Sequence, residues 1–507
     1  MPKMIHVSAI DGTIVSTSCG LNLRSSASTF IFRVRSKRKL LARQHVHIIV
    51  HREANSINVA CAMHIPDDVP PATAAGPTVM NMALISSKNC STITILTPIF
   101  RFDRLIGFCG STIHHTDIGG YGIGAGARDI HEEGLWIPVL KLYERGELNA
   151  TLAQIIETNV RTPKAIFGDL GAQVASGKTG AERLNAMCDR YGIDDIDLLS
   201  NEIISRSETS TREAIRKLTG GTFVGESTFD VPGGEVIKLV TSVTIDSEKG
   251  SVEIDFAGSS PPSASGINVV MAYTHAYSTF AVKSIVNPEL PNNAGSLAPI
   301  KVVAPDRCIV NAKYPVPVNA RHVVGMYVPF PILNALSQVV PDKVVAEGSG
   351  AVWTFQIQGR GATGDHFTSS MFNYSGGMGA RASKDGLSAT CYPTGVSAVP
   401  IEVLEASIPI EFTTKELVNG SGGQGRFKGG DGQRIGFKMK TDSRWFLNAI
   451  PSRLNIPAKG LGGGEPGKTG AFLINGEPLL EAKKREMLPT DEVLMETPGG
   501  GGFGPSR

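Results

Sequence analysis

The densest group of potential metal ligands lies in one glycine-rich segment, residues 112–134. His114, His115 and Asp117 stand within four residues of one another, and glycines follow at positions 119, 120, 122, 124 and 126. Imidazole and carboxylate groups are common ligands of zinc, manganese and iron, and glycine lets the backbone approach a ligand closely. The pattern therefore predicts a metal or ligand site. A polar turn with surface histidines is the alternative.

Two apolar runs precede the histidines and are expected to position them. Residues 93–100 are rich in β-branched side chains, and residues 105–113 form a second extended run after a turn at Asp103. Two such runs separated by a short turn predict a β-hairpin. The hairpin would deliver His114 and His115 at the end of its second strand.

Helical patterns follow at residues 147–160, 165–191 and 198–217. Inside the second pattern, Gly177-Lys178-Thr179 resembles the end of a phosphate-binding loop. The motif requires four residues between its glycines, whereas five separate Gly171 from Gly177. No strand pattern runs into this segment, so we do not expect it to bind ATP.

Composition excludes several classes of protein. The chain has 507 residues with 41% hydrophobic and 19% charged residues, which predicts two or three domains. A net charge of +2 argues against nucleic-acid binding, and no apolar run is long enough to predict a membrane span. Seven scattered cysteines without a C-x-x-C pair fit a reducing, cytoplasmic setting. Residues 1–52, rich in serine and arginine, resemble either a transit peptide or an exposed basic segment.

The predicted fold is α+β, a mixed multi-domain chain that is rich in strands, with a helical insert and a glycine-rich, mostly β C-terminal region. A strand hairpin is expected at residues 236–257, and a pair of strands at 401–412. We expect three parts: a poorly defined N-terminal region at 1–92, a core at 93–400, and the β region at 401–507.

A second glycine loop lies at residues 376–381. Backbone amides of such a loop, together with a nearby arginine, can bind an anion, so Gly377, Gly379 and Arg381 are candidate substrate-binding residues. A tight loop packed against a strand is the alternative. Asp169 and Gln173 stand four residues apart on a predicted helix and are expected to cap or brace it.

The chain resembles the hydantoinase B/oxoprolinase family over about four-fifths of its length. No single motif decides this, but the family's motifs occur in the family's order. They are I-H-H-T-D-I-G-G (113–120), E-G-L-W-I-P-V-L-K-L (133–142), N-V-R-T-P (159–163), G-D-L-G-A-Q-V-A (168–175), D-F-A-G-S-S-P (255–261), P-N-N-A-G (291–295), S-G-G-M-G-A-R (375–381), S-G-G-Q-G-R-F-K-G-G-D-G (421–432) and T-P-G-G-G-G-F-G (497–504).

The resemblance implies an ATP-dependent enzyme that hydrolyses a small cyclic amide of the 5-oxoproline or hydantoin type. In this family ATP is bound by an A-type partner, which phosphorylates the substrate, and the B part does the remaining chemistry. This chain is similar to a B part alone, so an A-type partner is implied. Phosphorylation turns the amide oxygen into a good leaving group, and a metal-bound water could then attack. Acetone and acetophenone carboxylase subunits are related, and a carboxylase role is the alternative.

The resemblance also implies a divalent metal (manganese, zinc or iron) held by a His-x-x-Asp pair and a histidine of the H-H-x-D segment. His114, His115 and Asp117 supply the second part, and Asp117 and Glu133 are the candidate catalytic carboxylates; Glu133 could equally orient a histidine. The first part is missing, because Asn89 stands where the family has histidine and Thr92 where it has aspartate. A catalytically inactive scaffold protein is therefore a further alternative.

Overall fold

The computed structural model describes residues 92–506 except 123, 351, 362, 363, 365 and 482, without the side chains of 371–373; before residue 92 it describes only the backbone of five short strands. The strands are β1 (Lys3–Met4), β2 (Ser28–Arg33), β3 (His45–His47), β4 (Ala62–His64), β5 (Met82–Ser86), β6 (Thr92–Arg101), β7 (Arg104–His114), β8 (Leu140–Glu144), β9 (Glu147–Leu148), β10 (Gly221–Asp230), β11 (Val236–Asp246), β12 (Ser251–Asp255), β13 (Ile300–Val303), β14 (Val352–Arg360), β15 (His366–Ser375), β16 (Ile410–Leu417), β17 (Gln433–Met439), β18 (Trp445–Ile450), β19 (Ala471–Ile474), β20 (Glu477–Pro478), β21 (Arg485–Met487) and β22 (Glu492–Glu496).

The helices are α1 (Ala150–Asn159), α2 (Pro163–Tyr191), α3 (Asp197–Arg216), α4 (Met271–Val286), α5 (Ala294–Leu297), α6 (His322–Gly325), α7 (Pro329–Leu336) and α8 (Ile401–Ser407). Helices and several separate sheets confirm the α+β prediction. Within the described part of the chain, no helix is both long and apolar enough to cross a membrane.

The first sheet is built on the expected hairpin. Its strand order is β1-β2-β7-β6-β5-β8-β9, and β6 pairs with β7 so that Thr92 lies opposite His114. One face of the hairpin packs on α2, because Ile93 and Ile95 share an apolar cluster with Ile166 and Leu170 of that helix. The helix therefore covers one face of the strands that carry the site.

The segment that resembled a phosphate-binding loop is helix interior. Gly177 lies within α2 and is buried against the sheet, where a Cβ would stand 2.0 Å from Thr97 Oγ1. Backbone amides inside a helix are already bonded to carbonyl groups one turn earlier and are not free to hold a phosphate. The segment is therefore helix interior and does not have the form of a phosphate-binding loop.

The second sheet has the order β10-β11-β12-β13. The expected hairpin is β11–β12, and β10, which was not anticipated, pairs with β11 along its whole length. The apolar side of this sheet shares the largest core cluster with α4 and α7. This core supports the loop at residues 315–321 and the short α6 that follows it.

Two further sheets, β15-β14-β18-β21 and β16-β17-β22-β19-β20, face each other across one core. Trp353, Phe355, Phe437 and Trp445 lie in that core and are almost fully buried. The first of these two sheets joins β14 and β15 to β18 and β21, which follow residue 400. The strand pair expected at 401–412 was partly wrong: α8 occupies its first half, and β16 begins at Ile410.

Glycine-rich segments near residues 376–380, 421–432, 460–467 and 499–504 form a stack of extended chains outside any strand. Backbone bonds join them: Gly377 N donates to Pro498 O (2.9 Å), Gly430 N to Met378 O (2.8 Å) and Gly500 N to Gly430 O (3.0 Å). The glycines were expected at turns and bulges. Many instead lie where neighbouring backbones touch, and a side chain would have no room.

Candidate functional site

The two histidines at the end of β7 point in different directions. His114 faces the polar side of the hairpin, where its Nδ1 lies 3.0 Å from Thr92 Oγ1 and where Thr94 and Thr112 are also bonded to each other (2.8 Å). His115 turns toward α2, with Nδ1 3.6 Å from Asp169 Oδ2. Successive side chains of an extended strand alternate between its two faces. His114 and His115 therefore lie in different surroundings.

His115 is enclosed between the hairpin and α2. Its side chain is 0% exposed, and neither ring nitrogen has a hydrogen-bond partner among the described residues. Gln173 bridges the two strands beside it, donating to Ile93 O (2.9 Å) and Ser111 O (2.8 Å). Burial lowers the pKa of His115 to about 4 against the opposing influence of Gln173, and burial raises the pKa of Asp169. Asp169 and Gln173 lie one turn apart on α2, which fits the predicted bracing role.

The Asp117 carboxylate is already occupied. Oδ1 lies 2.6 Å from Arg161 Nη1 and accepts from Gly119 N (3.0 Å), while Oδ2 accepts from the backbone N–H of Arg161. Arg161 also donates to Gly120 O. The H-H-T-D-I-G-G and N-V-R-T-P motifs thus meet, and their charged residues close the glycine loop onto the end of α1.

Glu133 binds the segment at residues 318–319 to the same glycine loop. Its side chain is buried, and Oε1 accepts from the backbone N–H of Val318 and of Asn319 (2.7 Å for the latter). Asn319 Nδ2 in turn donates to Gly122 O (2.6 Å). The carboxylate therefore fixes the chain just before α6, which agrees with a positioning role for Glu133.

The segment that Glu133 binds leads directly into Arg321 and His322. Arg321 is 4% exposed, and its guanidinium lies over the Tyr273 ring at 5.8 Å from the centroid. Nε2 of His322 is buried and has no hydrogen-bond partner within the part of the chain that the structure describes. Sequence reasoning missed both residues. The available signal was a polar Arg-His pair inside the apolar run at residues 315–328.

The surroundings of His114 keep its imidazole neutral. Its side chain is solvent-accessible, yet burial, then the nearby positive charge of Arg321, then His322 and His115, lower the pKa of His114 to about 3. Burial and Arg321 lower the pKa of His322 to about 3 in the same way. Both imidazoles are neutral at pH 7.

The buried histidines predict acid-sensitive folding. The pKa of His115 is 6.5 in the unfolded chain and about 4 in the folded one, so the unfolded state binds more protons below pH 6.5 and stability is lost as the pH falls toward 4. We expect the free energy of unfolding to drop by about 2 kcal/mol between pH 7 and pH 5 from this residue. Urea unfolding at the two pH values measures it. His115→Gln should remove that part of the pH dependence, whereas His131→Gln, at an exposed position, should leave it unchanged. If the free energy of unfolding changes with pH equally in the two variants, the assignment to His115 is wrong.

The three predicted metal ligands do not converge. His114 faces Thr92, His115 faces Asp169, and Asp117 is bound to Arg161. Over the described residues, no group of three or more His, Cys, Asp or Glu side chains is arranged to hold a metal ion. A metal at His114 would need ligands beyond these, so this donor set by itself does not fit the implied ion.

The candidate substrate-binding glycines are packing positions. A Cβ at Gly377 would lie 1.8 Å from Gly430 O, and one at Gly379 would lie 1.9 Å from Ala346 O. Arg381 Nη2 donates to Asp385 O (2.7 Å) within its own turn. These contacts favour the alternative, a tight loop packed against neighbouring backbone.

Comparison with known proteins identifies the family. The sequence profile described as hydantoinase B/oxoprolinase matches residues 8–506. The chain belongs to the hydantoinase B/oxoprolinase family. An uncharacterised protein of Methanocaldococcus jannaschii is 31% identical over 84% of this chain and 75% of its own length. The putative B-type component of a D-/L-hydantoinase from a Pseudomonas species is 29% identical over 80% of this chain and 72% of its own. The family's named activities are of the hydrolase type, and a relative named as one subunit of an enzyme indicates a partner chain.

Two solved structures share the fold. The ATP-dependent caprolactamase from Pseudomonas jessenii aligns with a TM-score of 0.76 at 23% identity, over 86% of this chain and 78% of that one. Nucleotide-free acetone carboxylase aligns with a TM-score of 0.73 at 18% identity, over 84% of this chain and 65% of that one. At these identities the similarity establishes the architecture of this family member and leaves its substrate open.

Proposed function

We propose that this chain is the B-type subunit of an enzyme that hydrolyses a small cyclic amide of the 5-oxoproline or hydantoin type with ATP. The observation that carries the proposal is the family match across residues 8–506. A relative named as the B-type component of a hydantoinase and the fold shared with an ATP-dependent caprolactamase support it. The ATP is handled by an A-type partner, in keeping with the helical structure of the G-K-T segment in this family member.

The chemistry assigned to the chain follows from its neutral imidazoles. Phosphorylation by the partner would leave an activated amide carbon that water can attack. A pKa near 3 makes His114 a weak general base at neutral pH. We therefore assign it a binding role, as a hydrogen-bonding group or as one ligand of a divalent metal.

The test is a ring-opening assay with the partner present. The chain is co-purified with an A-type partner and given 5-oxoproline, hydantoin or caprolactam with ATP, and both the opened product and ADP are measured. We expect ring opening of one of these amides only with both proteins and ATP. Absence of ring opening across the amides, with both proteins folded, would argue against the proposal.

Metal content of the purified chain is measured beside the assay. We expect His114→Ala to lose any bound manganese, zinc or iron, because His114 is the solvent-accessible member of the pair. His115→Ala should retain it, because His115 is enclosed against α2. Loss in the His115 variant alone would assign the ligand to the other histidine.

Two observations favour alternatives that the same assay separates. The fold shared with acetone carboxylase favours a carboxylase component, which would consume bicarbonate with a ketone in place of water with an amide. Thr92 beside His114, where the family has aspartate, favours an inactive scaffold. Activity that appears only after the double change Asn89→His and Thr92→Asp would establish that the parent chain is inactive for this reason.

A further inference from the structure

The first glycine loop, which follows β7, lies directly on one face of β14 and β18. A Cβ at Gly122 would stand 2.2 Å from Gln356 Oε1 and 3.2 Å from Gln358 Nε2. A Cβ at Gly124 would stand 1.9 Å from Asn448 Nδ2. Gln356 and Asn448 lie opposite each other in the pairing of β14 with β18. The loop and the sheet therefore touch so closely that a side chain at either glycine would have no room.

The face of β14 beneath the loop is polar although it is buried. Successive residues of a strand point to opposite faces, so Gln356 and Gln358 share the face under the loop, while Phe355 and Ile357 lie in the apolar core. Gln356 is 3% exposed and Gln358 is 9% exposed. Glutamine is seldom buried, and burying its amide is costly unless the amide is hydrogen-bonded. Polar residues at positions where packing favours apolar ones are expected at functional sites.

The two glutamines belong to a directed chain of hydrogen bonds that begins at Lys484. Lys484 Nζ donates to Gln358 Oε1 (2.5 Å). Gln358 Nε2 donates to Gln356 Oε1 (2.9 Å), and Gln356 Nε2 donates to Ser370 Oγ (3.2 Å). Because an ammonium group only donates, it fixes which end of the Gln358 amide faces it, and that amide fixes the next. Lys484 therefore sets the orientation of the polar face.

Lys484 is held beside the loop with donors that no protein group accepts. Its backbone N–H donates to Tyr121 Oη (3.0 Å), and its Nζ lies 5.0 Å from the centroid of the Phe446 ring. The side chain is partly buried, and it forms no salt bridge within the part of the chain that the structure describes. An ammonium group has three N–H donors. Gln358 accepts one of them, so the others remain for a ligand or for water.

The charge around Lys484 favours an anion. Arg161, which binds the carbonyl of Gly120 beside Tyr121, has its own carboxylate partner in Asp117. Lys484 has no such partner, and the direction of its pKa agrees: burial and then the positive charge of Arg161 lower it, with no carboxylate acting against them. A partly buried cation without a counter-charge is unfavourable, and an oxyanion that supplies the missing charge and acceptors is bound strongly.

We propose that Lys484 binds a small oxyanion of the substrate, either a carboxylate or the phosphoryl group of the activated amide, where the first glycine loop meets β14. The inference rests on the proposed function only for the molecule that bears the oxyanion. Gln358 is a positioning residue in this arrangement, because it holds the ammonium group through its Oε1 atom.

Direct binding tests the subsite without requiring catalysis. The full chain is titrated calorimetrically at about pH 7.5 and low ionic strength with inorganic phosphate, with 5-oxoproline, and with 2-pyrrolidinone, which is the same ring without the carboxylate. We expect phosphate or 5-oxoproline to bind, and Lys484→Met to weaken that binding about tenfold or more, since a charge-assisted hydrogen bond is lost. Methionine retains an apolar stem beside Phe446.

The neighbouring lysine provides the matched control. Lys483 is exposed and already paired with Glu481 (2.7 Å), so Lys483→Met should bind both anions as the parent does. Binding of phosphate alone assigns the subsite to the phosphoryl group, and binding of 5-oxoproline but not of 2-pyrrolidinone assigns it to a carboxylate. If neither anion binds, or if the variants at 484 and 483 bind them equally, the proposal is wrong.

A second measurement uses the unaltered chain and decides the matter should Lys484→Met fail to fold. The rate of acetylation at each lysine is followed by mass spectrometry of peptides. Phosphate or 5-oxoproline must slow the acetylation of Lys484 and leave that of Lys483 unchanged; equal rates with and without both anions would contradict the proposal. Ring opening without Lys484-dependent anion binding would leave the proposed function standing and remove this inference, and Lys484-dependent binding without ring opening would do the reverse.

Discussion

Alanine at Gly377 should prevent stable folding of the glycine-rich stack. The added Cβ would lie 1.8 Å from Gly430 O and 2.6 Å from Gly500 N, both backbone atoms. Neither atom can withdraw without breaking the bonds that join the extended segments. Overpacking a core typically costs about 1–3 kcal/mol, and contact with backbone on both sides places this change at or above about 3 kcal/mol. The midpoint of urea unfolding and the soluble yield measure the effect.

A glycine of the same chain gives the matched control. Gly171 lies in the interior of α2, is exposed, and would place a Cβ with nothing within 4 Å. Alanine favours a helix over glycine by about 0.5–1 kcal/mol, so Gly171→Ala should raise the unfolding midpoint. Equal destabilisation by both changes would mean that the stack is not closely packed at Gly377.

Local patterns predicted the elements that carry the site. The β-branched run before residue 101 and the apolar run before His114 form β6 and β7, and the helical periodicity after residue 165 is α2. These elements follow from regular burial of one face, which a short stretch of sequence records. The error at 401–407 arose because a short apolar run fits a strand or a helix equally well. β10, β14 and β15 were also missed, although β10 pairs with the next strand, β11, and β14 pairs with the next strand, β15.

The composition of the site was only partly predictable. The residues next to His114 in sequence indicated a possible metal or ligand site. That His114 and His115 face different environments depends on the alternation of strand faces and on the packing of α2. Asp117 has a carboxylate suited to a metal, and only the fold shows that Arg161 binds it. Arg321 and His322 lie some two hundred residues away, and their only local signal is a polar pair inside an apolar run. Contacts between segments so distant in sequence require tertiary structure.

The motifs of the family acquire separate physical roles in this arrangement. The charged residues of the first glycine loop, Asp117 and Glu133, close two connections: one to Arg161 after α1 and one to the segment before α6. The C-terminal glycines pack backbone on backbone. The first glycine loop therefore connects the β6–β7 hairpin to the segment that carries Arg321 and His322. A substitution that breaks this connection should change the geometry of the site without removing any group that touches the substrate.

Replacement of Glu133 by alanine tests this connection and should greatly reduce both stability and activity. It leaves the buried N–H groups of Val318 and Asn319 without the acceptor they share. Each unpaired buried donor costs about 1–3 kcal/mol, so the free energy of unfolding should fall by about 2–4 kcal/mol. Because Glu133 joins the loop that follows His114 to the segment before α6, kcat/KM for ring opening should fall about a hundredfold, as expected when groups at a reaction site are displaced by about 1 Å.

Two comparisons separate positioning from catalysis by Glu133. Glu133→Gln keeps an oxygen at Oε1 that can accept from both amides, so it should restore most of the stability and of kcat/KM. Glu132→Ala, at an exposed neighbouring position, should change stability by no more than about 0.5 kcal/mol. If the glutamine variant is as inactive as the alanine variant while folding like the parent, then the negative charge itself takes part in the reaction. That result would overturn the positioning role and return Glu133 to the catalytic groups, because only a proton-accepting or charge-stabilising step distinguishes a carboxylate from an amide of the same shape.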